Sequence, residues 1–174
     1  TSACPANITI ECSDPVPAMP MLMATDDCQL AGGTTLFINE IHYDNFGGDV
    51  GEFIEVAGTA GIDLMGYDLV LYNGSNGTVY NTIALTGIID NEGGTGFGAL
   101  HFTLPPNGIQ NGSPDGIALV NGAMVLEFIS YEGTFMASNG PAMGMTSTSI
   151  GVAEPGAIGE SLQLSGTGGM ASDF

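Results

Sequence analysis

The chain has 174 residues, 44% of them hydrophobic, which is enough to build one domain around a real core. It carries 19 Asp and Glu, two His and neither Lys nor Arg, for a formal net charge of −19. With nothing but two imidazoles to neutralise phosphate, this composition argues against nucleic-acid binding and against an anionic membrane surface, and the apolar content argues against disorder.

The same composition constrains the acids. A carboxylate that finds no Lys or Arg must face water, accept hydrogen bonds from neutral donors, or take a cation from solution. Pairing with a cation of its own chain is not expected, and acids that converge become candidate Ca²⁺ ligands, because Ca²⁺ prefers oxygen.

Residues 1–33 read as an extended arm. ANITIEC (6–12) alternates Ile8, Ile10 and Cys12 on one face, as a short strand does. Pro15, Pro17 and Pro20 follow and favour an extended or edge path. All three cysteines lie here. Cys12 and Cys28 flank the Pro-rich excursion and form the expected disulfide, leaving Cys4 for an intermolecular bond; three reduced thiols are the alternative. Gly32-Gly33 reads as a hinge. No run approaches a transmembrane span, so membrane insertion is not expected.

From residue 34 to 174 short β runs alternate with Gly, Asn and Asp turns. Strands are expected at 35–43, 52–58, 67–73, 78–85, 95–104, 116–121, 123–133 and 160–166. Two hairpins are expected, one through NGSNG (73–77) and one through Asn121-Gly122. Residues 134–159 read as irregular, with Met136, Met143 and Met145 as core filler, a sticky surface being the alternative. No segment has helical periodicity. This many short strands implies an all-β fold, a β-sandwich.

Several stretches in this order resemble bacterial lamin-tail domains: LFINEIHYDNFGGDVGEFIEVAG, DLMGYDLVLYNGSNGTVYNTIAL, IQNGSPDGIALV, VLEFISYEGTF, GMTSTSIGV and GESLQLSGTG. The resemblance runs over residues 35–174 and implies an immunoglobulin-like sandwich and an accessory or structural role on secreted or surface proteins, with no catalytic residues. The opening CPANITIECSDPVPAMPMLMATDDC resembles the start of hyalin-type adhesin repeats. The lamin-tail pattern runs past a DF pair into another aromatic strand, whereas this sequence stops at Asp173-Phe174, so an edge strand is expected to be missing or supplied from elsewhere.

The candidate metal ligands are Glu40, Asp44, Asp49 and Glu52, on two strands and the loop between them, as an expected Ca²⁺ site; the alternative is a solvated acidic loop with Glu40 and Glu55 hydrogen-bonded to backbone. Glu52 and Glu55 fall on opposite faces of a regular strand. Asn107, Asn111 and Asp115 suggest turn chemistry. His42 and His101 lack a third imidazole for a zinc site, and Ser130 and Ser138 have no nucleophile motif around them. NEGGTGFGA (91–99) lacks the GK[ST] of a phosphate loop. Asn7, Asn73, Asn76 and Asn111 sit in N-X-S/T sequences at a frequency such a composition produces by chance.

The expectation is therefore a non-enzymatic extracellular module, a subunit of a filament, surface layer or adhesin on a bacterial cell surface. Its partners would be other copies of itself, joined head to tail by an arm that fills the neighbour's open edge; an arm packed on its own domain is the alternative. The competing function is an accessory domain of a secreted nuclease- or phosphatase-type hydrolase, presenting a protein- or carbohydrate-binding face.

Overall fold

The structure, a computed structural model, describes residues 35–166. The expected arm at 1–33, its three cysteines and the end of the chain lie outside the described residues. Among the described residues nine strands form two sheets: β1 (Leu36–His42), β2 (Phe53–Thr59), β3 (Tyr67–Asn73), β4 (Thr78–Ala84), β5 (Phe97–Thr103), β6 (Asp115–Asn121), β7 (Met124–Tyr131), β8 (Thr148–Ser149) and β9 (Leu162–Gln163). The first sheet has the order β5-β2-β1-β9 and the second β4-β3-β6-β7-β8. Every pairing is antiparallel except β7 with β8. The only helical turn among the described residues is a 3₁₀ turn at Glu92–Gly94. The fold is an all-β sandwich.

The sheets face each other across one apolar core. Ile38, Ile41, Tyr43, Ile54 and Val56 come from the β1–β2 side, and Leu69, Leu71, Ile117, Leu119 and Tyr131 from the other sheet. β2 obeys the two-residue period strictly, alternating buried and half-buried residues. β1 does not. Its register against β2 slips between Ile38 and Glu40, so Asn39 is an extra residue. The bulge lets Ile38 and Ile41, three apart, both reach the core. A second bulge on β7, where the register slips between Leu119 and Val120, breaks the alternation there.

β3 and β6 are buried on both faces: Leu69 to Tyr72 and Ile117 to Val120 are all buried. Their outer face is covered by the irregular segment 134–147. There Phe135, Ala137 and Ala142 pack with Val70, Tyr72, Ala118, Val120 and Phe128. The phenol of Tyr72 accepts the Ala142 N–H at 3.0 Å. The β3–β4 hairpin backs onto the same segment so closely that a Cβ on Gly77, at φ +72°, would lie 2.3 Å from the Met136 carbonyl oxygen. The methionines of this segment are not filler. Met136, Met143 and Met145 are 62%, 68% and 42% exposed, because Phe135, Ala137 and Ala142 occupy the inner side of the cap and the methionines fall on its outer side.

Candidate functional site

The acids gather where the loop between β1 and β2 meets the long 104–114 connection and the segment after β8. Glu154, 6% exposed, is the hub. One oxygen accepts the backbone N–H groups of Tyr43 and Asp44, at 2.7 and 2.9 Å. The other bonds His42 Nδ1. The Glu154 N–H in turn donates to the Tyr43 phenol at 2.8 Å, and that phenol donates to Glu132 at 3.1 Å. Tyr43 stacks on Tyr131 with ring centroids 4.1 Å apart. His42 Nε2 lies 3.2 Å from the Val50 carbonyl and 3.3 Å from the Asn45 amide nitrogen. Burial lowers the affinity of His42 for its proton, but the bond and charge of Glu154, with Val50 and Asn45, outweigh it and raise the pKa above 6.5. When protonated, His42 is thus a cation of this chain paired with one of its own carboxylates. That corrects the expectation that every acid must look to water, neutral donors or solution ions.

Other buried or half-buried acids use backbone donors. Glu52, fully buried, accepts the Gly108 and Ile109 N–H groups at 2.7 and 2.9 Å. Burial pushes its carboxyl above the ordinary range against the pull of those two donors, and the nearby charge of Asp49 pushes the same way. Asp115, 2% exposed, holds the Gly74 N–H at 2.8 Å, and burial raises it too. Glu127 reaches across the sandwich to the Ile38 N–H at 2.8 Å and is likewise raised by burial. Hydrogen bonds to a charged acceptor contribute about 1.5–3 kcal/mol each.

The four expected metal ligands therefore lie in three settings. Glu40 accepts from Ser161 Oγ at 2.5 Å, on the strand pair β1–β9. Glu52 holds the 108–109 backbone. Asp44 and Asp49 are brought together: the Asn111 amide nitrogen lies 3.1 Å from a carboxylate oxygen of each. Asp49 also accepts the Asn45 N–H at 2.8 Å. Among the described residues no three of His, Cys, Asp and Glu form a metal-holding group. His42 and His101 both flank the Phe53 ring, with centroids 6.1 and 6.2 Å from it.

No family model, curated protein or solved structure matches this chain. The residues themselves carry the functional reading. Ser130 Oγ donates to the Gly133 carbonyl at 2.7 Å and Ser138 Oγ to the Asn76 carbonyl at 2.9 Å, so each hydroxyl holds a loop. A polar recess of about 420 Å³ opens beside this end, lined by Asp49, Asn73, Asn107, Asn111 and Asp115 among others. A second, mainly apolar cleft of about 310 Å³ lies along the seam between β1–β9 and β7–β8.

Glu154 and Glu127 escape a reading of the sequence. Glu154 stands alone in VAEPG, 112 residues from His42, and carries no motif. One signal was present: in a chain without Lys or Arg, a histidine is the only side-chain cation a buried acid can recruit.

Proposed function

We propose that this chain is a non-enzymatic structural module acting outside the cell, a subunit of a filament, surface layer or adhesin, with an immunoglobulin-like sandwich of lamin-tail type. What supports this reading is the use to which the buried and half-buried acids are put. Glu52, Asp115, Glu127 and Glu154 each grip backbone N–H groups of a loop or edge. Acids used this way fix irregular loops rigidly without a single Lys or Arg, a property that suits passive scaffolding. In the same reading the segment 1–33 of one copy joins the next by strand addition. The test is electron microscopy and sedimentation of the full chain beside a chain lacking residues 1–33. Polymers formed by the first and folded monomers by the second support the reading. Polymers unchanged by the deletion overturn the role of that segment.

The calcium expectation narrows to Asp44 and Asp49, where an ion would replace the amide hydrogens of Asn111 and draw its amide oxygen instead. Thermal unfolding with calcium and with chelator tests it: a higher midpoint with calcium supports it, and coincident curves remove it. The polar recess favours the second reading, a binding domain of a secreted hydrolase, and a catalytic domain encoded beside this chain would support it.

A further inference from the structure

The lateral seam of the sandwich is closed by its two shortest strands. β9 pairs with β1 at two positions, Glu40 with Gln163 and Ile41 with Leu162. β8 pairs with β7 at two, Ile129 with Thr148 and Ser130 with Ser149. The cleft of about 310 Å³ lies between them, walled by Ile38, Ile41, Ile129, Ile150, Val152 and Leu162. One more ladder bond, from the Leu164 N–H to the Asn39 carbonyl at 2.9 Å, extends β9. Continued in that register, Ser165 would face Ile38, but the strand ends at Gln163 and the chain bends at Gly166.

The Ile38 N–H reports on that edge. It is a strand donor inside β1, and a side chain from the opposite sheet takes it: Glu127, at 2.8 Å. An inward-pointing charged residue beside an edge donor is a device natural sheets use against indiscriminate strand pairing. It is needed where an edge is otherwise fit to pair. The cleft below is apolar at alternate positions, the surface that one face of an extended segment fills. Thirty-four residues precede Thr35 in the sequence, and they include Ala6–Cys12, with Ile8 and Ile10 two apart and one acid, Glu11. In a chain of net charge −19 with no Lys or Arg, contact between copies cannot draw on Lys or Arg ion pairs, and this segment offers apolar burial and backbone hydrogen bonds instead.

We propose that the seam cleft receives the segment Ala6–Cys12 of a second copy of this chain, which adds to the outer edge of β1 at Ile38 with Ile8 and Ile10 turned into the cleft. The incoming backbone takes over the Ile38 N–H from Glu127. This rests on the assembly reading above and names the acceptor site for it.

The experiment uses full-length chains of two sizes, one carrying Val152→Cys and the other Ile8→Cys, Thr9→Cys or Ile10→Cys. They are mixed under mild oxidation, with each single variant as background for the native cysteines. Val152, at the rim of the cleft, is 55% exposed, so its replacement leaves the sandwich folded. The expected result is a mixed-size covalent dimer with Ile8→Cys and Ile10→Cys and much less with Thr9→Cys, following the two-residue period. Polymers without any such bond overturn the seam as the acceptor while leaving assembly standing through another contact. In a further full-length chain carrying both Val152→Cys and Ile8→Cys, a bond formed only within the chain, with none between mixed chains, overturns the second copy as the occupant. Full-length chains that stay monomeric, unchanged by removing residues 1–33, overturn the assembly reading itself and the site with it.

Discussion

Two irregular segments, 134–147 and 150–160, dress the same sandwich and are fastened by opposite chemistry. The first is held by neutral contacts: the Phe135 ring against Phe128 and Tyr72, with centroids 5.5 and 6.5 Å away, the Tyr72 phenol on the Ala142 N–H, and the Ser147 hydroxyl accepting the Phe135 N–H at 3.1 Å. The second is held by charge, through Glu154 on His42 and two backbone donors, with the Phe46 N–H on the Gly156 carbonyl at 2.7 Å beside it. The neutral fastening spreads over many small contacts. The charged one concentrates in a single residue and inherits the titration of a single imidazole.

The largest expected effect follows from that concentration. Glu154→Ala strands a buried imidazole and two backbone donors, and breaking a buried charged pair costs about 3–5 kcal/mol. Hydrogen exchange should quicken in residues 42–46 and 150–156 while 134–147 keeps its protection; loss of protection in both at once would show that the two fastenings are not independent. Tyr72→Phe is the matched cut on the neutral side. It leaves the Ala142 N–H unpaired in a buried site, at about 1–3 kcal/mol, with the exchange pattern reversed.

Acidity separates the two more finely. The raised pKa of His42 gives stability that is complete below 6.5 and lost as pH rises through the folded value. Glu52, Asp115 and Glu127 are also raised, from 4.5, 3.8 and 4.5. Each therefore binds its proton more readily folded than unfolded, so stability falls in the same direction as pH climbs through their folded values. The melting midpoint should rise as pH falls from 8 toward 6.5, the interval in which the imidazole takes up its proton. In Glu154→Gln that rise should shrink. A midpoint that is flat or falls over that interval contradicts the assignment.

The strands of the two sheets were legible because the sequence states them twice, in alternation and in turn residues. The strand expected at 67–73 is β3 to the residue, and the other six long strands begin or end within two residues of their expected limits. β8 was not legible, and β9 is only the centre of its expected run, since two residues carry no period. The bulge at Asn39 left a trace: in TLFINEIHY the adjacent Asn39 and Glu40 break the alternation and set Ile38 and Ile41 three apart, and pairing with β2 shows that the break is one extra residue. Of the site, Asp44 and Asp49, five apart in one loop, meet at the Asn111 amide. Glu40 and Glu52 leave the group because each finds a nearer donor, a hydroxyl and two backbone amides. Glu154 joins from 112 residues away, a distance no local pattern spans.

The smallest expected effect bears on the outer skin of the neutral segment. If the cap is held from its inner side by Phe135, Ala137 and Ala142, its methionines contribute nothing to folding. Met136→Gln should then move stability by no more than about 0.5 kcal/mol, as surface changes do, and leave exchange in 134–147 untouched. A loss of several times that amount would mean that Met136 packs against part of the chain, and the cap would have to be redrawn with two faces in contact instead of one. Under the assembly reading the same substitution also asks whether these side chains touch a neighbour: unchanged folding with weakened polymers would place them at a contact between copies, separate from the seam.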